Sequence, residues 1–157
     1  MREVQEVKIY INTYHSGNFK SGTGTYTIIM EYNSEKIKGW TKDIVDGYSG
    51  TSKPRIALLA CIAALKRMIR PCKITIIINS KYIVNAVNDG NWLVWLETGK
   101  NAKRKPAANL DLWQQVYDLA SIHEVEFVYM DKNTYTDCML SEMKRRKIEL
   151  KEDTGNV

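Results

Sequence analysis

The chain of 157 residues has few of the side chains that bind soft metal ions or form cross-links. It contains two histidines, His15 and His123, which excludes a histidine-rich metal site. Its three cysteines, Cys61, Cys72 and Cys138, form no Cys-x-x-Cys pair. An odd number of cysteines without metal-ligand spacing fits a reducing compartment.

Long hydrophobic runs are also absent. Hydrophobic residues make up 44% of the chain, but no apolar stretch approaches the roughly 18–20 residues of a membrane-spanning helix. The N-terminal sequence MREVQEVKIYIN alternates charged and apolar residues, which is not the pattern of a signal peptide. We therefore expect a cytoplasmic protein. The length suits one domain over residues 1–150, and the polar composition of residues 151–157 predicts a disordered tail.

Positive charge is in excess over the whole chain. The 23 lysines and arginines outnumber the 18 aspartates and glutamates, which gives a net charge of +5 and an isoelectric point near 9.0. Such an excess favours a polyanionic partner, and nucleic acid is the commonest one.

Hydrophobic periodicity predicts nine strands and helices, with one irregular segment among them. Alternating, β-branched segments at residues 4–12, 22–32 and 35–42 predict three strands, and Asn33-Ser34 is a hairpin turn signal between the last two. A helix begins after Ser52, is apolar throughout from Ile56 to Leu65 and ends at Pro71. A continuous apolar strand, a short helix and an irregular basic segment follow, at residues 73–79, 80–88 and 91–109. The last three elements are a helix, a strand and a helix, at residues 110–122, at 124–130 and from 133 onward.

This order predicts an α/β fold. Three meandering antiparallel strands precede strands that are reached through crossover helices, so we expect a mixed five-stranded sheet with helices on both faces. Functional sites of such sheets form beyond the carboxyl ends of neighbouring parallel strands. The first and fourth strands end at Asn12 and Asn79, which makes these two amides candidate site residues.

Five short segments carry most of the motif content: KIYINTY at 8–14, PRIALLACIAAL at 54–65, ITIIINSKYIVNAV at 74–87, NLDLWQQV at 109–116 and NTYTDCML at 133–140. In this order and spacing, the chain from Val7 to about Lys144 resembles the ribonuclease H family, type 1. The resemblance implies the fold of that family. It also implies an activity that cleaves the RNA strand of an RNA–DNA hybrid with two Mg²⁺ ions held by four carboxylates.

Three of the four carboxylate positions differ from the family pattern. By the resemblance they are Asn12, Ala57, Asn79 and Asp137, so only Asp137 is still an acid. Formal charge at the site falls from about −4 to −1, whereas two Mg²⁺ ions carry +4. The resemblance therefore predicts a catalytically inactive domain that needs no cofactor. Weak binding of one Mg²⁺ at Asp137 stays open.

Two further departures lie near the same site. Ser52-Lys53-Pro54 stands where the family has an Asn-Asn pair that contacts nucleic acid. The flexible loop that carries a catalytic histidine in the family is reduced to residues 130–133, and neither histidine of this chain matches its position. Because these changes accompany the lost carboxylates, we interpret the losses as natural rather than engineered.

The basic segment after the fourth strand is the candidate nucleic-acid-binding surface. The family's protrusion there is rich in tryptophan and lysine and grips the DNA strand. Cations can neutralise phosphates and aromatic rings can stack on bases, which predicts binding of a hybrid or duplex by Trp92, Trp95, Lys100, Lys103, Arg104 and Lys105. The alternative is a solvated loop whose tryptophans pack on the neighbouring helix. A second basic cluster, residues 144–147, fits the cation preference of a helix C-terminus.

Two other functions stay open at this point. The domain could be a protein-interaction or scaffold module that keeps the fold for its surface. It could also be an active Mg²⁺-dependent ribonuclease with a rearranged site that uses Asp137 and Asp131, with Asp43 or Asp46.

Overall fold

The computed structural model describes residues 5–18, 20–33 and 38–156. Along these residues lie six strands and five helices: β1 (Glu6–Asn18), β2 (Ser21–Asn33), β3 (Lys38–Thr51), α1 (Lys53–Leu65), β4 (Lys73–Ile78), α2 (Lys81–Asn88), α3 (Asn91–Thr98), α4 (Leu110–Ala120), β5 (Glu124–Tyr129), α5 (Thr136–Arg145) and β6 (Lys151–Glu152). None of the helices in these ranges is long and apolar enough to span a membrane.

All the strands join one mixed sheet in the order β5-β4-β1-β2-β3-β6. Strands β1, β2 and β3 are antiparallel neighbours, and β4 and β5 extend the sheet in parallel from β1. The predicted mixed α/β architecture is confirmed, although the sheet has six strands rather than five. Ser34, in the predicted turn between β2 and β3, lies outside the described residues.

Side chains that alternate along the central strands form two cores. On one face, Ile9, Ile28 and Ile76 belong to the large core that α1 and α4 complete. On the other face, Tyr10, Ile29 and Ile77 pack with Met139 of α5. The period of two along each strand assigns neighbouring residues to opposite faces. Helices therefore cover both faces, as the sequence predicted.

Helix α1 is the most buried helix of the large core. Ser52 caps its N-terminus by accepting a hydrogen bond from the Arg55 N–H at 3.2 Å. The sequence predicted that this helix ends at Pro71, but it ends six positions earlier, at Leu65. The Arg67 and Met68 N–H groups bond to carbonyls three residues back, so the α-helix tightens into a turn where the apolar run gives way to exposed Lys66 and Arg67.

Other segments also differ from their predicted secondary structure. Strand β3 was predicted to end at residue 42, but it continues to Thr51. Strand β1 continues to Asn18 and strand β2 begins at Ser21, so the hairpin that they form extends beyond the predicted strand ends. Part of the segment predicted to be irregular forms helix α3. Gly90 and Gly99, with φ of 75° and 71°, bound this helix at its two ends. Its tryptophans pack against Trp113 of α4, and this tertiary contact outweighs the weak helical pattern of the segment.

The C-terminal residues also differ from the prediction. A disordered tail was expected from residue 151, but β6 pairs with Tyr48 and Ser49 of β3. Asp153 follows with only 8% of its surface exposed, and it accepts hydrogen bonds from the Arg55 guanidinium at 2.8 and 3.1 Å. Arg55 is itself only 3% exposed, and a buried cation requires anionic partners. The ion pair with Arg55 therefore holds Asp153 and the residues beside it in place, although the composition of this C-terminal segment is polar.

Candidate functional site

The two candidate amides lie side by side at the edge where β4 ends. Ile11 of β1 pairs with Ile78 of β4, so Asn12 and Asn79 are the next residues along two parallel neighbours. Asn12 is buried at 2% exposure, and Asn79 is half-buried. The structure thus brings these two predicted site residues together, as expected for the carboxyl ends of adjacent parallel strands.

The Asn79 side chain makes three hydrogen bonds with Thr13 of β1. Its Oδ1 accepts hydrogen bonds from the Thr13 backbone N–H at 2.9 Å and from the Thr13 hydroxyl at 3.1 Å. Its Nδ2 donates to the Thr13 carbonyl oxygen at 3.1 Å. One backbone donor and one backbone acceptor are therefore both satisfied by the same side chain. An amide can do this, whereas a carboxylate has no N–H to donate.

Asn12 makes longer polar contacts on the side of helix α5. Its Nδ2 donates to the hydroxyl oxygens of Tyr14 and Thr136, both at 3.4 Å, and its Oδ1 accepts from Asn133 Nδ2 at 3.3 Å. The oxygen that could ligate a metal ion thus already accepts a hydrogen bond from a protein amide.

The other two positions that the resemblance assigns, Ala57 and Asp137, contribute little to a metal site. Ala57 lies in the second turn of α1, is 1% exposed and packs in the large core. Asp137 lies in the first turn of α5 and is exposed. A carboxylate near a helix N-terminus is stabilised by the helix dipole without any ligand.

The remaining oxygens do not fit two Mg²⁺ ions. Within residues 5–18, 20–33 and 38–156, no three His, Cys, Asp or Glu side chains are grouped so that they could hold a metal ion. Mg²⁺ sites in proteins use carboxylates as their charged ligands. A pair of amides occupied by internal hydrogen bonds and one exposed carboxylate cannot replace four acids.

The acids considered for a rearranged site are dispersed. Asp43 and Asp46 lie on β3 and form ion pairs with Arg146 and Lys151. Asp131 is exposed and lines a cleft beside Asn79.

We expect Asn79→Asp to lower the free energy of unfolding by about 1–3 kcal/mol at neutral pH, because the new carboxylate would face the Thr13 carbonyl oxygen. This contact raises the pKa of the introduced acid. The loss should therefore shrink as the pH falls through that pKa, where the protonated group can donate again. Chemical denaturation at several pH values measures the effect. Asn85→Asp, at an exposed position of α2, is the matched control, and an equal effect of both variants would contradict the prediction.

The basic segment forms an ordered loop. Asn101 Oδ1 accepts hydrogen bonds from the backbone N–H groups of Lys103 and Lys105 at 2.9 and 3.1 Å, and Lys100 forms a β-bridge with Pro106. Arg104 lies at the loop tip with φ of 60°. Its side chain and those of the three lysines are exposed, and within the described part of the chain no ion pair involves them.

Trp92 and Trp95 belong to an aromatic cluster. Their rings lie 5.8 and 6.0 Å from the buried ring of Trp113, centroid to centroid. The Tyr82 hydroxyl accepts a hydrogen bond from Trp113 Nε1 at 2.9 Å. Trp113 is fully buried. Trp92 and Trp95 are half-buried, so packing on the neighbouring helix accounts for their position. Stacking of their exposed edges on bases stays a prediction.

Two polar clusters near the site were not predicted from the sequence. Arg55 binds Asp111 and Asp153 through two pairs of hydrogen bonds. Burial lowers the pKa of Arg55, but these bonds outweigh burial and raise it overall, while the bond from Arg55 lowers the pKa of Asp111. The second cluster is on the other face, where the Tyr135 hydroxyl donates to Glu31 at 2.6 Å, which raises the pKa of Tyr135 to about 12.

Comparisons with known proteins agree with this fold. The family model described as RNase H matches residues 5–138. A protein named Ribonuclease H from Chlorobaculum parvum is 36% identical over 124 residues, which are 77% of this chain and 79% of that protein. Two solved structures are also similar. LC9-RNase H1, described as a type 1 RNase H with the type 2 active-site motif, has a TM-score of 0.74 at 19% identity over 94% of this chain and 76% of its own. LC11-RNase H1, solved in complex with an RNA/DNA hybrid, has a TM-score of 0.55 at 16% identity over 85% of this chain and 92% of its own.

Proposed function

Because the chain belongs to the ribonuclease H family, we propose that it binds nucleic acid, as an RNA–DNA hybrid or a duplex, and does not cleave it by the two-metal route. The observation that carries this proposal is the bonding of Asn79. Both polar atoms of its side chain are committed to Thr13. The position that holds a metal-binding carboxylate in the family is thus adapted to an amide.

Electrostatics supports the part of the proposal that excludes two-metal cleavage. Two Mg²⁺ ions close together repel each other, and clustered carboxylates offset that repulsion in the family. Here Asp137 supplies one negative charge, and Ala57 supplies no ligand atom. Hydrolysis by metal-activated water would then lack both the metals and the groups that orient them.

The basic loop supports the binding half of the proposal. Its four cations are exposed, and Asn101 fixes the backbone that presents three of them. Pre-ordered cations bind a polyanion without a large loss of conformational entropy. The similar fold of LC11-RNase H1 was solved with an RNA/DNA hybrid bound, which makes a hybrid the first ligand to test.

We expect the triple variant Lys103→Glu, Arg104→Glu and Lys105→Glu to weaken hybrid binding by roughly 10- to 100-fold at low salt. The physical reason is that the variant neutralises fewer phosphates, so the slope of log affinity against log salt should fall by about 0.9 for each phosphate that is no longer neutralised. Fluorescence anisotropy in the presence of EDTA measures both quantities. EDTA should not reduce binding by the unmodified protein, because no metal is needed.

The matched control reverses three exposed cations at the opposite end of the sheet, Lys66, Arg70 and Lys73. It changes the net charge by the same amount but should alter affinity much less than the loop variant. Equal losses of affinity in the two triple variants would mean that overall charge, and not the loop, determines binding. No binding by the unmodified protein would refute the proposed function.

The competing function is an active ribonuclease with a rearranged site. The name of the Chlorobaculum parvum relative favours it. In this chain, Asp137 and Asp131 are exposed and could contribute to such a site, whereas Asp43 and Asp46 are already paired with cations. Cleavage of a hybrid in Mg²⁺ or Mn²⁺ would establish this function.

A further inference from the structure

A cleft of about 480 Å³ opens beside Asn79 and is lined by two lysines. Lys53 is the first residue of α1 and Lys81 is the first residue of α2. The cleft is also lined by Thr13, Tyr129 and Asp131. Of the four positions that the resemblance assigns to metal-binding carboxylates, Asn79 lines the cleft, and the charged side chains that line it beside Asn79 are the two lysines and Asp131.

Positive charge dominates the cleft. Lys53 and Lys81 are exposed, and neither forms an ion pair with any residue in the described ranges. The Lys81 ammonium lies 5.4 Å from the centre of the Tyr129 ring, which holds it over the cleft wall. Asp131 is the one acid among the lining residues, so two cations face a single carboxylate.

The positions of the two lysines are unfavourable for the helices themselves. A helix N-terminus carries partial positive charge and prefers acidic residues in its first turn. Helices α4 and α5 follow this preference with Asp111 and Asp137. Helices α1 and α2 have no acid in the first turn and begin with lysine instead. Both lysines therefore add to the positive potential at the cleft, and an anionic ligand would relieve it.

We propose that Lys53 and Lys81 bind one phosphate group directly in this cleft, without a divalent ion. The two ammonium groups take over the role of positive charge that magnesium has in the family. This inference rests on the proposed function and identifies a backbone phosphodiester of the hybrid or duplex as the ligand. A free phosphate offers the same chemistry, and the experiment separates the two sources.

The test compares Lys53→Gln, Lys81→Gln and the double variant with the unmodified protein in hybrid binding with EDTA. Each single variant should bind roughly three- to tenfold more weakly at low salt, and the double variant should lower the salt slope by about 0.9, because one phosphate is no longer neutralised. Lys66→Gln with Lys73→Gln is the matched control, because both lysines are exposed and distant from the cleft edge of the sheet. Added Mg²⁺ should weaken binding by competition for phosphate.

Phosphate itself provides a second readout that does not depend on hybrid binding. Amide resonances of Ser80 and Lys81 should shift when hybrid or inorganic phosphate is added at constant ionic strength, and the double variant should abolish the shifts. Shifts with hybrid alone identify the polymer backbone as the ligand, and saturable shifts with inorganic phosphate show that a free phosphate suffices.

The two proposals can fail separately. If the unmodified protein does not bind hybrid or duplex, the proposed function is refuted, whereas saturable phosphate shifts would still support the cleft. A second outcome is that the protein binds hybrid, but the double lysine variant has the same hybrid affinity as its control and the same ligand-induced amide shifts as the unmodified protein. The phosphate site is then refuted, and the basic loop remains the proposed binding surface. Tighter hybrid binding with Mg²⁺ would also overturn the metal-independent site.

Discussion

Replacing Asp153 by alanine is expected to lower the free energy of unfolding by about 3–5 kcal/mol, although the residue lies four positions before the last residue of the sequence. Its side chain is 4% exposed and accepts two hydrogen bonds from Arg55 and one from the Thr51 hydroxyl at 2.8 Å. The variant leaves the buried guanidinium with Asp111 as its remaining acid, and that carboxylate is half-exposed. A buried charge that loses a partner is costly because water cannot replace it.

Glu152→Ala is the control for this prediction. It removes the same charge from the neighbouring residue, which is exposed in β6, and should change stability by less than about 0.5 kcal/mol. Urea denaturation of both variants measures the difference. If Asp153→Ala were no more harmful than Glu152→Ala, the docking of the C-terminal residues on Arg55 would be wrong.

Introducing a glutamate at Ala57 is expected to destabilise the protein by roughly 3–5 kcal/mol in the absence of Mg²⁺. The position is 1% exposed and packs in the large core between strands and helices. A glutamate there must bury a charge, take up a proton or displace its neighbours, and each of these costs free energy. Adding Asn12→Asp should increase the loss of stability through repulsion between the two carboxylates.

Ala63→Glu, on the same helix at a half-buried position, tests whether burial is the cause. Its side chain can reach water, so its melting temperature should fall much less than that of Ala57→Glu. Thermal unfolding in EDTA is the measurement. An unchanged or higher melting temperature for Ala57→Glu would contradict the idea that this site is stabilised by the loss of its acids.

The sheet could be predicted from sequence because each central strand carries its own signal. Alternation in β1 and β2, and the continuous apolar run of β4, reflect burial that a local pattern records. The tail could not be predicted in the same way. Asp153 is fixed by Arg55, 98 positions earlier, and no local property of a polar segment reveals such a partner. Helix α3 was missed for a similar reason, because its stability depends on Trp113 of another helix.

The candidate site shows the same division. The proximity of Asn12 and Asn79 followed from their places at the ends of parallel strands. The bonds of Asn79 to Thr13 depend on exact backbone positions, which a residue pattern does not specify. The cleft lysines, in contrast, do have a signal in the sequence. Lys53 and Lys81 each follow a serine that caps a helix, so the Ser-Lys pairs at 52–53 and 80–81 place cations at two helix starts.

The most direct test of the central claim is incubation of the pure protein with an RNA–DNA hybrid labelled on the RNA strand, in Mg²⁺ and separately in Mn²⁺. The proposed function, which assigns Asn12, Ala57 and Asn79 to three of the family's carboxylate positions, predicts that the RNA stays intact while the hybrid is bound. Asp137→Asn serves as the control, since it removes the last acid of the family set and should leave both results unchanged. Metal-dependent cleavage that Asp137→Asn abolishes would contradict the account.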